Sequence, residues 1–197
     1  MMTSDGIFPL PPGKLAALVT YLVHDLGMIP ASSWPEVFHL ERIGGQDLAT
    51  YRALFQAVGG EWLWFSRLRM SDTELGAILS DEAVEAYALR GPDGNAGLLE
   101  LDFRDQATPE LGFFGLVPGL VGQGLGRALM VEALQRAKAR GAASLHVHTC
   151  SLDHPRALDF YCRSGFRPVR RAVEILTDPR LDGTLPRNVA AFMPVIG

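Results

Sequence analysis

Residues 116–130 read LVPGLVGQGLGRALM. An apolar stretch halts at Pro118, glycines follow at 122, 124 and 126, and an Ala- and Leu-rich segment with helical spacing takes over. Glycine is costly inside a helix, yet it reaches backbone angles that other residues avoid. Three of them at a strand-to-helix junction specify a turn with a bare backbone. Such a turn presents N–H groups at the positive end of the helix dipole, a ready anion site suited to phosphate. A tight connection without any ligand would also account for the glycines at this point.

Two other phosphate-binding patterns do not fit. No Gly-Lys pair matches a P-loop, and Arg127 stands where a dinucleotide fingerprint read from Gly122 needs its third glycine. The elements around the turn narrow the choice further. Leu48, Tyr51, Leu54, Phe55 and Val58 recur at helical spacing behind Asp47 as an N-cap, and Gly59 ends the run. Ser71 and Glu74 form a capping box for a second helix through Leu75, Ile78 and Leu79. The period then falls towards two. Ala83–Arg90 and Leu98–Phe103 read as strands joined by the turn GPDGNAG, and Glu110–Val117 as a third, stopped by Pro118. A helix over Gly124–Arg140 follows, then the strand SLHVHTC (144–150), a helix from Pro155 closed by Gly165, and a strand in FRPVRRAVEIL (166–176).

A short final strand is expected in AAFMPV (190–195). In the irregular, Pro-rich first forty residues, Lys14–Tyr21 is read as a strand, with a short helix as the alternative, and Leu40–Ile43 as another strand. The expected class is α/β: a mixed, mostly antiparallel sheet flanked by helices in three layers. One domain spans 1–197, with 1–39 as an N-terminal extension or an extra strand.

Composition excludes several functions. At 197 residues, 48% hydrophobic and 20% charged, the chain has the make-up of a soluble globular domain. Its formal charge of -4, with no basic stripe beyond the short run Arg163–Arg171, argues against nucleic acid. No apolar run approaches the roughly 20 residues needed to span a bilayer. The stretch LAALVTYLV (15–23) lacks the flanks of a signal peptide. Cys150 and Cys162 do not make a disulfide scaffold, so a cytoplasmic setting with free thiols is expected.

The residues 116–130 resemble the acetyl-CoA signature of the GNAT superfamily of N-acetyltransferases: a strand ending in Val-x-Pro, a glycine turn, then a helix. Downstream, HPRALDFYCRSGF (154–166) resembles the second motif of that superfamily, with Ala157, Phe160, Tyr161, Gly165 and Phe166 matching. The resemblance covers Asp47 to Ile175. It implies the GNAT-like acyl-CoA N-acyltransferase fold, acetyl-CoA as co-substrate, and acetyl transfer to a primary amine of a small molecule or peptide. It implies pyrophosphate capture by Gly122, Gln123, Gly124, Leu125, Gly126 and Arg127. The pantetheine arm would lie near Leu116, Val117 and His154, between the strand Glu110–Val117 and SLHVHTC, which should splay apart. Val121 stands where Gln or Arg is usual and His154 where Asn is usual. These departures keep one alternative in view, a catalytically silent acyl-CoA-binding sensor or interaction module.

The implied chemistry needs a base for the amine, a donor for the oxyanion and a proton for the departing thiolate. Tyr161 occupies the superfamily's acid position; its structural alternative is a core tyrosine. Glu110, sixteen positions before Gly126, is the candidate base, with a solvated strand end as its alternative and Glu100 as fallback. A backbone N–H at Leu116 or Val117 would polarise the thioester carbonyl. His146, His148 and Cys150 share a strand face, but no further cluster supports a metal, and none is expected. His148 is instead placed on the acceptor side. EWLWFSRLRM (61–70) holds two tryptophans that either pack in the core or wall the acceptor site. The expected partners are acetyl-CoA and an amine, without nucleic acid or membrane; a homodimer is left open.

Overall fold

A computed structural model describes residues 5–31 and 35–197. The described strands are β1 (Lys14–His24), β2 (His39–Ile43), β3 (Val84–Gly91), β4 (Gly94–Asp102), β5 (Glu110–Leu116), β6 (Leu145–Cys150) and β7 (Arg167–Thr177). The helices are α1 (Leu48–Gly59), α2 (Ser66–Arg69), α3 (Asp72–Ser80), α4 (Leu125–Ala139) and α5 (Ala157–Arg163). The strands form one sheet in the order β2-β3-β4-β5-β6-β1-β7. Every neighbouring pair is antiparallel except β5 and β6.

Alternation along the central strands builds a core on each face. Tyr87, Leu99 and Leu101 join Leu129, Met130, Leu134 and Tyr161 of α4 and α5. Their neighbours Ala86, Ala88 and Leu98 pack on Tyr51, Leu54 and Phe55 of α1 and Leu75 and Leu79 of α3. This is the layered α/β arrangement expected from the change of period. Among the described residues, no helix is long and apolar enough to cross a membrane.

Local signals acted largely as their chemistry requires. Ser71 Oγ accepts from the Glu74 N–H, and the Glu74 carboxylate accepts from the Ser71 N–H, completing the capping box. Asp47 stands at the N-cap of α1, but its carboxylate reaches back to the Gly44 N–H at 3.0 Å instead of capping forward. The expected turn GPDGNAG shrinks to Pro92 and Asp93, because Gly91 and Gly94 already pair across the hairpin. The helix expected from Pro155 begins at Ala157. Before it, His154 Nδ1 accepts the Arg156 N–H and the His154 carbonyl accepts that of Ala157.

The expected strand at 190–195 is absent. The carbonyls of Ala190 and Met193 accept from the Arg180 guanidinium, which is itself buried against Asp178. Groups that could have formed a ladder therefore hold a coil in place. The early apolar segment 14–24 enters the sheet instead, between β6 and β7. Its alternate residues Leu15, Ala17 and Val19 are buried.

β5 and β6 share a single paired position, Glu110 with His146, beside the bond from the His146 N–H to the Pro109 carbonyl. Beyond that point they part. Across β5, Glu100 faces Phe113 while Leu101 faces Leu111, so Gly112 is a bulge that bends the strand. The gap between two central strands is where the candidate site lies.

Candidate active site

The separation of β5 and β6 opens a cleft of about 590 Å³ through the sheet. On the α4 and α5 side it is lined by Gly122, Gly124, Gly126, Arg127, Phe160 and Tyr161. On the opposite side stand Trp62, Trp64, Phe65, His148, Cys150 and Glu174.

Gly122 and Gly124 adopt φ of +93° and +84°. An L side chain in that region costs about 1–2 kcal/mol. A Cβ at either would meet no protein atom within 4 Å, so the backbone angle, and not crowding inside the chain, calls for glycine. Among the described residues, the N–H groups of Gly122, Gln123, Gly124, Leu125 and Gly126 have no acceptor. They open onto the first turn of the fifteen-residue α4, where the dipole favours negative charge. Gln123 Nε2 braces the turn by donating to the Gly119 carbonyl at 3.0 Å. Val121, exposed beside the cleft, adds no polar side-chain group. This donor set fits a pyrophosphate.

Hydrogen-bond alternation in β5 separates two neighbouring candidates. The Val117 N–H donates to the Ala96 carbonyl at 2.9 Å and is not free to polarise anything else, which removes Val117 from that role. The next pair, Leu116 with Gly97, is then of the non-hydrogen-bonded kind, so the Leu116 N–H turns away from β4 towards the gap. Leu116 also lines the cleft.

Tyr161 is 8% exposed and lines the cleft between the rings of Phe160 and Phe166. Burial, reinforced by the Asp153 charge, pushes its phenol far above the usual tyrosine range. The group therefore stays a neutral donor. Glu110 does not line the cleft itself; its carboxylate holds His148 Nδ1 at 2.7 Å, and His148 does line it. The hydrogen bond to Glu110 outweighs desolvation and raises the His148 pKa. Glu100, the fallback base, is removed from the reaction: fully buried, it is bound by the Tyr51 hydroxyl and by Arg67 at 2.5 Å.

Around the second motif, Asp153 accepts from Trp64 Nε1, the Thr149 hydroxyl and the Cys150 N–H. This fixes the start of the loop after β6. His154 lines the cleft edge-to-face on Trp62, with ring centroids 4.8 Å apart. Desolvation and the Arg156 charge lower its pKa. Cys150 lies in the wall, its thiol pushed up to about 11, chiefly by burial. His146 does not join His148 and Cys150 at the cleft. Among the described residues, no group of three or more His, Cys, Asp or Glu side chains could hold a metal ion.

Four charged residues of the cleft carried no signal in the sequence: Asp153, Arg156, Arg163 and Glu174. Arg156 and Arg163 lie within the matched second motif but off its pattern positions. Glu174 is far along the chain, and only sheet order brings it here.

The acetyltransferase (GNAT) family matches residues 52–166, more than half of the chain. A mycothiol acetyltransferase of Beutenbergia cavernae is 40% identical over 80 residues, 39% of this chain and 27% of that protein. The match thus spans little more than a quarter of the curated relative. Among solved structures, a GNAT-family protein from Novosphingobium aromaticivorans superposes with a TM-score of 0.57 at 19% identity, over 87% of this chain and 70% of that one. A GCN5-related N-acetyltransferase from Sphaerobacter thermophilus gives 0.58 at 16% identity, over 84% and 52%. At these identities the structures establish the fold alone.

Proposed function

The chain belongs to the acetyltransferase (GNAT) family, and from that premise we propose that it moves an acetyl group from acetyl-CoA directly to a primary amine of a small molecule or peptide. The observation that carries this reading is the cleft through the sheet. It joins a turn of unsatisfied N–H groups on one face to the Glu110–His148 pair on the other.

Acetyl-CoA supplies the acetyl group as an activated thioester. The N–H groups of Gly122 to Gly126, with Arg127 beside them, hold the pyrophosphate. The Leu116 N–H polarises the thioester carbonyl. His148, oriented by Glu110, takes the proton from the incoming amine, so Glu110 acts through the ring instead of as the base itself. As the N–C bond forms and the C–S bond breaks, Tyr161 donates to the departing sulfur. A phenol with a raised pKa suits this task, because the same apolar wall raises the pKa of a thiolate formed against it. Cys150 stays protonated near neutral pH with its pKa at about 11, which favours direct transfer over an acetyl-cysteine stage. Free Cys150 and Cys162 agree with a cytoplasmic setting.

Acetyl-CoA and CoA at millimolar concentration should both raise the melting temperature, since pyrophosphate and pantetheine contacts are common to the two. No shift with either would overturn the co-substrate assignment. A screen for released thiol over a panel of amines separates an enzyme from a silent sensor, which would bind acetyl-CoA yet release none.

A further inference from the structure

The acceptor half of the cleft has one carboxylate with no role so far. β7 pairs with β1 at Glu174 and Ala17, and β6 pairs with β1 at Cys150 and Val19 and at His148 and Tyr21. Cross-strand partners project to the same face, and Ala17, Val19 and Tyr21 alternate along one strand. Glu174, Cys150 and His148 therefore stand on one face of three adjacent strands, and all three line the cleft. The Glu174 charge reaches far enough to raise the pKa of both other groups.

Among the described residues, Glu174 makes no hydrogen bond or ion pair, in contrast to nearby Asp153, whose oxygens are occupied. The cleft's arginines, Arg127, Arg156 and Arg163, belong to α4 and the α5 segment, while Arg170, on the Glu174 face of β7, is stacked over the Tyr21 ring at 3.8 Å. Arg69, stacked over Phe65, is held by Asp182. Leu176, Leu152, Leu63 and Phe65 line the same cleft and pack in one apolar cluster with Ala17, the cross-strand partner of Glu174. Glu174 is exposed on β7. A carboxylate without a partner, on the same cleft face as His148 and lining that cleft together with aromatic and aliphatic side chains, is matched by a cation on an apolar body.

We propose that Glu174 anchors the acceptor's ammonium group and that the acceptor is a primary amine on an aryl or alkyl body with no carboxylate beside the amine. The proposal rests on the acetyltransferase reading above. The ammonium gives one proton to His148 and thence to solvent. As the amide bond forms and the C–S bond breaks, the nitrogen gives up a second proton to solvent, and Tyr161 gives its own proton to the CoA sulfur and recovers one from solvent, so atoms and charge balance. An α-carboxylate would meet Glu174 as a like charge, and a polyamine would leave the aromatic wall unfilled.

The test uses the full chain with acetyl-CoA and three probes: phenethylamine, phenylalanine and spermidine. Phenethylamine should give kcat/KM at least about tenfold above either other amine. Glu174→Gln should raise its KM roughly tenfold with kcat held within about twofold. With CoA bound, phenethylamine should quench the fluorescence of Trp62 and Trp64, and the quench should weaken in Glu174→Gln while the CoA-induced thermal shift persists. Equal use of phenylalanine, preference for spermidine, or an unchanged KM in Glu174→Gln overturns the inference and leaves the acetyltransferase reading standing. Thermal stabilisation by CoA with no thiol release from any amine overturns both.

Discussion

In the proposed reaction, single side chains at the cleft divide the proton work. Tyr161 is held neutral by burial, so Tyr161→Phe should slow turnover while leaving acetyl-CoA affinity within about twofold, measured by steady-state rates and by titration. An intact rate across pH would remove the donor role. As the proposed base, His148 would react only as the neutral ring, and Glu110 raises its pKa, so kcat/KM should climb with pH through that raised value. Glu110→Gln removes the negative partner and the orienting bond. The acidic limb of the profile should then move to lower pH, with a plateau reduced roughly tenfold. A limb that stays in place would show that another group titrates. Tyr161 and Glu110 were legible as candidates from motif position and His148 from its strand face; that His148 lines the cleft while Glu110 stands behind it was not. Three carboxylates, at 100, 110 and 174, look alike along the chain, and only their neighbours distinguish one buried under Tyr51 and Arg67 from one bonded to His148 and one without a partner.

Elements carry the next level. The glycine turn works through backbone angles, so Gly124→Ala should strain a residue held at φ +84° and weaken acetyl-CoA binding by about tenfold, for a cost of about 1–2 kcal/mol. Calorimetry against acetyl-CoA measures it, and unchanged affinity would show that the turn does not need this angle. The capping box of α3 stands apart from the cleft. Ser71→Ala should lower stability by about 1 kcal/mol, read from denaturant midpoints, without altering kcat. Both features were visible because caps and glycine turns act over three or four residues. Asp47 shows the limit of such local reading. It stands at the correct position, yet a nearer N–H at Gly44 takes its carboxylate.

At the scale of the molecule, β1 is the element whose position matters most. Among the described strands it is the one neighbour of β7 and carries the pairing to β6, so it joins Glu174 to His148 and Cys150 across one face. Ala17, fully buried opposite Glu174, should not tolerate a charge. Ala17→Asp should lose several kcal/mol of stability, or fail to fold, by thermal denaturation followed in circular dichroism. A folded variant with its melting temperature intact would mean that β1 is not needed to hold the sheet together.

The layered α/β class, the order of the central elements, the glycine turn and the candidacy of Tyr161 and Glu110 were all legible along the chain. Those depend on periodicity, on caps and on two motifs, all written within short stretches of chain. Tertiary structure alone decided which strand lies between β6 and β7, how far β5 and β6 diverge, and which carboxylates face the cleft. Pairing between segments more than a hundred residues apart leaves no local pattern, because a half-buried strand has the same alternation whichever neighbour it meets.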